Sequence, residues 1–437
     1  MDSTFLNLKK LILDTGLDFP SEKNQLPKLL LIGTHAQQTT GYSKVTYNII
    51  KELAKINCYE LYHFGFQKFK DTPPEYRPYP SSVTVYDPAA LEKAGQAQQE
   101  MGFGFSQLPN YIRQVKPDIV IIYNDAGVIC RYLDKLSEQL TPQDRTYKLI
   151  IYLDQVYQLQ RPEFLARMDK DAYAYITFTQ HWKQVLESQG IKKPIGVLRH
   201  GFNPNQFQVL NKQAMRKKHS IPENVFLILN INRNTPRKRY DIVITAFAEL
   251  IARHQTKPLA FLAVCDNGEN GGFPIQEIFL RELTRLKIPP QFHAHKLMVS
   301  KESQSFTDTM INELYSISDI GVSAAEGEGF GLCNFEAMGV GIPQVVPNIG
   351  GFKDFCVHNK NSILIEPKWR NYLPLSHSSV GGVSELVDAH DLSLGMEDYL
   401  MDTELRNTHG KAACETVLQY NWTEEVKNLI SFLQSLK

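Results

Sequence analysis

Short apolar runs alternate with helical patterns along most of this chain, and that alternation constrains the fold more than any other feature. Residues 29–32, 119–122 and 149–152 are uninterrupted apolar runs of strand length. Such runs are typical of strands that are buried on both faces. A helical pattern follows the first run, with apolar residues every fourth position from Val45 to Leu53. The alternation predicts an α/β fold with a parallel sheet covered by helices on both faces.

The pattern restarts near residues 203–215, which predicts a second doubly wound unit. We expect an N-terminal domain over 1–205, a C-terminal domain over 206–420, and a final helix over 421–437 that packs back on the first domain. Residues 369–388 carry Pro, Ser and Gly and are expected to form a surface loop. The irregular apolar pattern of residues 1–26 indicates a short amphipathic helix or a loose arm. The remaining strands are predicted at 175–178, 195–198, 226–229, 259–264, 320–322, 344–346 and 363–365.

Composition excludes several classes of protein. Lys plus Arg number 47 and Asp plus Glu number 47, so no overall field favours nucleic acid or an anionic membrane. The six cysteines form no C-x-x-C pair, which speaks against zinc and favours reduced, buried thiols. Neither a signal peptide nor a stretch of ~20 apolar residues that could span a membrane is present, so we expect a cytoplasmic enzyme without a transmembrane segment.

The strongest chemical signal is the segment from Glu326 to Glu336, which reads Glu-Gly-Glu-Gly-Phe-Gly-Leu-Cys-Asn-Phe-Glu. It follows a predicted strand and opens a predicted helix. Glycines before a helix expose backbone N–H groups to an anion, and the helix N-terminus adds partial positive charge. Glu328 in the loop and Glu336 about one turn into the helix would then contact different parts of one extended ligand. The alternative interpretation is a generic glycine-rich turn with solvated carboxylates.

This segment resembles the signature of the family-4 retaining glycosyltransferases, which have the GT-B fold. The resemblance continues through Gly-Val-Gly-Ile-Pro-Gln-Val-Val at 339–346 and Gly-Gly-Phe at 350–352. It covers the second predicted domain closely and the first more loosely. It implies two Rossmann-like, doubly wound domains that face each other across a cleft and bind a nucleotide-diphosphate sugar. In that family pattern Glu328 is catalytic, and the donor is bound by Phe330, Gly331, Leu332 and Glu336.

A basic loop over residues 232–239 is the second signal. It holds four cations between a predicted strand and a predicted helix, and a diphosphate needs such charge. The family places an Arg, and five residues later a Lys, against the donor diphosphate, and Arg233 and Lys238 fit that spacing. Arg237 and Arg239 are interpreted as solvated or paired with Asp241. A wholly solvated basic turn is the alternative.

The third signal is the loop after the first strand, where the family has glycines that approach the donor phosphate. This chain has one glycine there, Gly41, where many relatives have two. Gly41 is assigned to donor binding and Tyr42 more weakly. A plain helix N-cap by Thr39 or Thr40 is the other interpretation.

The chain departs from the family at Asp154, which stands about where many members have a His near the donor sugar. Asp154 is therefore a catalytic candidate that contacts the donor sugar or the incoming hydroxyl, or else it caps the next segment. Asp169-Lys170-Asp171 resembles the D-x-D metal motif of other glycosyltransferases, but it lies in a predicted helix or turn and is interpreted as solvated. His200 is interpreted as structural, at a crossover between the domains.

Together these residues predict a retaining glycosyltransferase that needs neither a metal nor another cofactor. It would move a hexose from a GDP- or UDP-sugar to a hydroxyl of a glycan, a lipid or a small molecule. The fixed cations and the helix N-terminus would replace a metal ion. Two alternatives remain open: a GT-B nucleotide-sugar epimerase or hydrolase, and a non-catalytic protein that binds sugar nucleotides.

Overall fold

The chain folds into two α/β units, each built on a parallel sheet. The computed structural model describes residues 26–69, 72–73, 75–300, 306–374 and 380–436. The predicted N-terminal helix or arm therefore lies almost wholly outside the described residues. The first sheet has the strand order β3-β2-β1-β4-β5-β6-β7. Its strands are β1 (Lys28–Thr34), β2 (Glu60–Phe66), β3 (Val83–Tyr86), β4 (Ile119–Asn124), β5 (Lys148–Leu153), β6 (Ala174–Thr177) and β7 (Ile195–Val197).

The second sheet repeats this architecture with the order β10-β9-β8-β11-β12-β13. Its strands are β8 (Phe226–Asn230), β9 (Leu259–Ala263), β10 (Leu297–Val299), β11 (Ile320–Val322), β12 (Gln344–Pro347) and β13 (Ser362–Ile365). The α/β fold with two doubly wound units is thus confirmed. The described α-helices of the chain are Gly41–Ile56, Ala94–Glu100, Leu108–Val115, Ala126–Gln139, Pro162–Asp171, Gln180–Ser188, Lys212–Lys218, Tyr240–Arg253, Ile275–Arg285, Pro290–His293, Asp308–Ile317, Leu332–Gly339, Phe352–Phe355, Ala389–Met401, Thr403–Val417 and Trp422–Ser435.

The first strand shows why the apolar runs are unbroken. Leu29 and Leu31 pack into a core that includes Val45 of the following helix, whereas Leu30 and Ile32 pack into a separate core on the other face. Successive side chains of a strand point to opposite faces, so a sheet covered on both sides needs an apolar residue at every position. The same rule accounts for the fully buried β8.

Strand order fixes where a ligand can bind. The order reverses between β1 and β4 in the first sheet, and between β8 and β11 in the second. In doubly wound sheets, ligands bind outside the carboxyl ends of strands at such reversals. The loops after β1, β8 and β11 therefore form the expected site, and they contain all three sequence signals described above.

The last helix, Trp422–Ser435, packs on the first unit. Phe432 covers Gly196 of β7, where an added Cβ would come within 2.8 Å of the phenyl ring. Thr423 donates a hydrogen bond to Glu52 at 2.9 Å, and Arg199 pairs with Glu425 at 3.2 Å. The helix that follows the second unit thus contacts the first.

The prediction of a surface loop over residues 369–388 was partly wrong. Strands β14 (Trp369–Tyr372) and β15 (Val383–Leu386) form an antiparallel pair. All four residues of β14 are exposed, so burial imposes no alternation of apolar and polar residues that could reveal the strand. Strands β2, β3 and β10 were not predicted either, because polar residues interrupt or flank their apolar positions.

Two further findings concern the cysteines and the length of the apolar helices. All six cysteines are free and four of them are buried. Among the described helices, none is long and apolar enough to cross a membrane.

Candidate functional site

The loop after β11 lies between the two units. It leads into the helix Leu332–Gly339, whose N-cap Gly331 has a φ of 94°, a conformation that favours glycine. A Cβ at Gly331 would lie 2.5 Å from the ring of Phe352. A Cβ at Gly329 would lie 2.4 Å from a carboxylate oxygen of Asp154 in the first unit. Both glycines are thus required by close packing, and the loop touches the opposite domain.

Glu328 is buried in this loop against two cations of the basic loop. Its Oε2 accepts a hydrogen bond from the ammonium of Lys238 and lies 3.7 Å from Nη1 of Arg237. Burial raises the pKa of Glu328, but the charges of Lys238 and Arg237 outweigh that effect and lower the pKa overall. Glu328 is therefore a fixed negative charge. Lys238, predicted to contact a diphosphate, is paired with Glu328, which is predicted to be catalytic.

The other cations of the basic loop divide into paired and unpaired groups. Arg239 pairs with Asp241 at 2.6 Å and with Glu326 at 3.4 Å. The interpretation that Arg237 is solvated or paired with Asp241 was wrong: its guanidinium donates to the carbonyl of Gly327 beside Glu328. The side chain of Arg233 is exposed and has no ion-pair or hydrogen-bond partner among the described residues. Arg233 is thus free to meet an anion.

Glu336 is buried in the helix Leu332–Gly339 and contacts the first unit. Its Oε1 lies 2.5 Å from the ammonium of Lys44, and its Oε2 accepts a hydrogen bond from Tyr315 at 3.2 Å. Lys44 also lies 3.3 Å from Asp308, which pairs with Arg77 at 3.3 Å. Burial raises the pKa of Glu336, and Lys44 opposes that effect only in part. Glu336, predicted to bind the donor, is therefore part of an ion-pair cluster between the domains.

The helix Gly41–Ile56 brings the first-unit loop to the cleft. Thr40 caps it, with Thr40 and Ser43 exchanging side-chain to backbone hydrogen bonds at 3.2 and 3.0 Å. The N-cap interpretation holds for Thr40, and it does not compete with a ligand role for Gly41. A Cβ at Gly41 would lie 3.7 Å from Leu332, so these two predicted donor-binding residues meet across the domains.

Tyr42 and Asp154 form a half-buried pair beside this contact. The hydroxyl of Tyr42 donates a hydrogen bond to Oδ2 of Asp154. Burial raises the pKa of Asp154 to about 6, although Tyr42 and the charge of Arg237 both lower it. Its other oxygen, Oδ1, is buried and has no hydrogen-bond partner among the described residues. Such an oxygen is costly to leave unpaired, which points to a ligand hydroxyl there.

Phe330 lies in the protein core. Its ring packs on His200 with a centroid distance of 4.4 Å and on Phe355 at 5.3 Å. Only the backbone of Phe330 is thus placed to contact a donor. His200 is buried, both of its ring nitrogens lack hydrogen-bond partners among the described residues, and burial lowers its pKa to about 3. A neutral, aromatic-packed ring fits the structural role expected for it.

The D-x-D resemblance at Asp169 and Asp171 lies within the helix Pro162–Asp171, as expected. Asp171 pairs with Arg167 at 2.7 Å. In the part of the chain that the structure describes, no group of three or more His, Cys, Asp or Glu side chains could hold a metal ion.

Sequence reasoning missed several residues of this site, among them Lys44, Arg237 and Trp182. Lys44 follows Gly41 by three positions, so its place on the next helix could have suggested a role. Arg237 was set aside in favour of its neighbours. Trp182 carried no signal, yet its indole donates a 2.8 Å hydrogen bond to the carbonyl of Gly329 from the opposite domain.

Two surface cavities lie away from the cluster. One lies beside Lys212 and Pro343 and the other beside Trp369 and Glu385, and neither includes Glu328, Glu336 or Asp154. Because the domains touch directly across the cluster, side-chain chemistry locates the site better than surface shape does.

Comparison with known families supports this location. The family model described as "Glycosyl transferases group 1" matches residues 211–373, which include the basic loop and the Glu328–Glu336 segment. A D-inositol 3-phosphate glycosyltransferase of Streptosporangium roseum is 22% identical over 39% of this chain and 38% of its own length. An N-acetyl-alpha-D-glucosaminyl L-malate synthase of Bacillus anthracis is 23% identical over 55% of this chain and 54% of its own length. The matches thus span about half or less of these curated relatives.

Solved structures resemble almost the whole chain. A sucrose-phosphate synthase from Thermosynechococcus elongatus superposes with a TM-score of 0.68 over 94% of this chain and 99% of its own, at 15% identity. Anabaena HepE in complex with UDP and glucose has a TM-score of 0.67 over 94% of this chain and 100% of its own, at 16% identity. Residues 211–373 thus match the glycosyl transferases group 1 model, and the whole chain has the GT-B fold of these solved structures.

Proposed function

We propose that this protein is a glycosyltransferase that moves a hexose from a UDP- or GDP-sugar to a hydroxyl acceptor, with retention of configuration and without a metal ion. One observation carries the proposal: a glycine-rich loop holds the buried carboxylate of Glu328 against Lys238 and Arg237, with unpaired Arg233 in the same basic loop. The anion-binding groups and the carboxylate thus lie together, as the transfer of a sugar from a diphosphate requires.

The cations supply what a metal ion would otherwise supply. When the bond from the anomeric carbon to the phosphate oxygen breaks, its electron pair leaves with the diphosphate. Arg233 and Lys238 would neutralise the growing charge, and the free N–H groups after Gly331 would add the positive end of a helix. Lys238 is held on Glu328 and the helix N-terminus is fixed by its backbone before the reaction, so these two groups need little reorganisation.

The carboxylates act on the sugar. Glu328 keeps its negative charge, which would stabilise the positive charge that develops on the ring as the bond breaks. The unpaired Oδ1 of Asp154 would accept a hydrogen bond from a hydroxyl of the donor sugar or the acceptor. The acceptor oxygen bonds to the anomeric carbon on the face that the phosphate leaves, and its proton passes to the departing phosphate oxygen.

The nucleoside would lie beside Glu336, whose carboxylate would accept hydrogen bonds from the ribose hydroxyls. The similarity to HepE, whose structure contains UDP and glucose, supports a uridine or similar nucleotide. The acceptor, a glycan, lipid or small molecule, would bind mainly to first-domain loops. Contact between the domains would exclude water and so limit hydrolysis of the donor.

The function is tested by product analysis. Purified protein is incubated with UDP- and GDP-sugars in EDTA, with and without a panel of saccharide and lipid acceptors. We expect release of the nucleoside diphosphate that depends on an acceptor, an α-linked product from an α-linked donor, and no loss on chelation. Isomerised or hydrolysed donor without acceptor would instead indicate an epimerase or hydrolase. Tight nucleotide binding without turnover would indicate a non-catalytic protein, and activity restored only by manganese would exclude the metal-free mechanism.

Arg233→Ala should weaken binding of a nucleoside diphosphate but not of the nucleoside. The side chain has no partner among the described residues, so its removal disturbs no ion pair of the fold. A lost charge-assisted contact corresponds to roughly 1.5–3 kcal/mol. Calorimetry of both ligands measures the difference, and Arg281→Ala, at an exposed arginine paired with Glu277, is the control. An equal effect on both ligands would place Arg233 away from the diphosphate.

Glu328→Gln should lower turnover by about 10²–10³-fold, because it removes a charge needed only in the transition state. Affinity for the nucleoside diphosphate should not fall, since the change leaves Lys238 and Arg237 less neutralised. Single-turnover rates beside calorimetric affinities separate the two effects. Glu326→Gln, which alters a carboxylate of the same segment paired with Arg239, is the matched control. Parallel losses of turnover and affinity in Glu328→Gln would mean that the residue only holds the loop.

Asp154→Asn should stabilise the protein more at about pH 8 than at about pH 4.5. The folded-state pKa of about 6 exceeds the ordinary value of 3.8, so the folded state keeps a proton that the unfolded state releases. The contribution of Asp154 to the free energy of unfolding therefore falls as the pH rises from 3.8 to about 6. A neutral Asn avoids this loss. Tyr42→Phe should raise the pKa further, because it removes a bond to the charged form. Equal shifts in Tm at both pH values would contradict the assignment.

A further inference from the structure

Glu336 has no free oxygen in this structure. Lys44 of the first domain lies 2.5 Å from Oε1, and Tyr315 donates to Oε2 at 3.2 Å. Two ribose hydroxyls that bind the carboxylate side by side would use both oxygens. A carboxylate oxygen can accept more than one hydrogen bond, so a hydroxyl can share Oε2 with Tyr315. At Oε1 the donor meets the closely held ammonium of Lys44 and is expected to compete with it.

The surroundings of Lys44 allow it to give up this contact. Its ammonium lies 3.3 Å from Asp308 as well, and the aromatic face of Phe207 is 4.7 Å away. A lysine stem with four rotatable bonds can move its charge between two carboxylates, and losing one of them does not leave it unpaired in the interior.

Arg77 shows the opposite behaviour within the same cluster. Its guanidinium donates to the carbonyl of Gln38 at 3.1 Å and to the hydroxyl of Ser43 at 3.0 Å, besides its pair with Asp308. Arg77 of the first domain thus holds Asp308 of the second domain in place, and Asp308 remains within reach of Lys44. The cluster has one rigid cation, Arg77, and one adaptable cation, Lys44. Its two carboxylates, Glu336 and Asp308, come from the second domain.

We propose that Lys44 is an exchangeable counter-ion of Glu336: the ribose hydroxyls of the donor displace its ammonium, which then rests on Asp308. The inference rests on the proposed ribose role of Glu336. It makes Lys44 a positioning residue that sets how strongly the site prefers a ribose with both hydroxyls. Donor binding would also break one ion pair between the domains, Lys44 with Glu336, and keep another, Arg77 with Asp308.

The experiment compares UDP and GDP with their 2′,3′-dideoxy counterparts by calorimetry, using the full chain. The measured quantity is the affinity for the nucleotide with both ribose hydroxyls divided by the affinity for its dideoxy counterpart. In Lys44→Met the ribose no longer competes with an ammonium, so the ratio should rise roughly tenfold, the equivalent of one charge-assisted hydrogen bond. Lys44→Arg should keep the wild-type ratio. Lys55→Met, on the same helix at a lysine paired with Glu52, is the matched control and should also keep it.

A second variant gives a change of opposite sign. Asp308→Asn removes the carboxylate on which Lys44 would rest, so Lys44 stays on Glu336 and the ratio should fall. It also keeps the proposal testable where Lys44→Met does not fold. A lysine that only stabilises the domain contact would weaken both ligands equally and leave the ratio unchanged. An unchanged or lower ratio in folded Lys44→Met overturns the exchange alone. Wild-type protein that binds neither nucleotide, or does not distinguish the dideoxy forms, overturns the proposed ribose site as well.

Discussion

The arrangement of this site depends on the pairing of buried carboxylates. Glu326, Glu328 and Glu336 lie within one short segment, and each carboxylate has its own cation: Arg239 and Lys238 of the basic loop, and Lys44 of the first domain. An unpaired buried charge would cost several kcal/mol, so these partners are obligatory. The pairing determines the conformation of the basic loop, brings the first domain onto the second, and leaves Arg233 without a partner among the described residues.

Several contacts between the domains meet at Gly329. Trp182 donates to the carbonyl of Gly329, and Asp154 packs against the same residue. A side chain at Gly329 would have to displace the carboxylate of Asp154 and would press on the ring of Phe178. The glycine is therefore as important for domain contact as for ligand access, and the two roles are linked. A donor sugar that enters between Glu328 and Asp154 must contact the surfaces that hold the domains together, so binding and closure are expected to be coupled.

The sequence predicts features that depend on neighbouring residues, and it does not predict contacts between residues far apart in the chain. Strands such as β1 and β8 are buried on both faces, so local composition indicates them, and the glycine-rich loop is equally visible in its own residues. The pairing of Lys44 with Glu336 joins positions 292 residues apart, and no local pattern encodes it. Arg237 was misjudged because the neighbouring cations are chemically alike and only the fold determines which one reaches Glu328. The exposed strand β14 was missed because its residues obey no burial pattern.

Charge balance links these pairs to the protonation of Asp154. Each carboxylate of the Glu326–Glu336 segment already has its cation, so a diphosphate adds negative charge to a site that is close to neutral. Asp154 lies within the influence of Arg237 and Glu328, and its pKa of about 6 is close to the pH of a cell. An anion that draws on the charge of Arg237 removes one of the effects that lower this pKa, and its own charge raises the pKa further. Donor binding is therefore expected to favour the protonated form of Asp154, which can donate a hydrogen bond as well as accept one. The protonated carboxyl group would then offer a sugar hydroxyl both a donor and an acceptor.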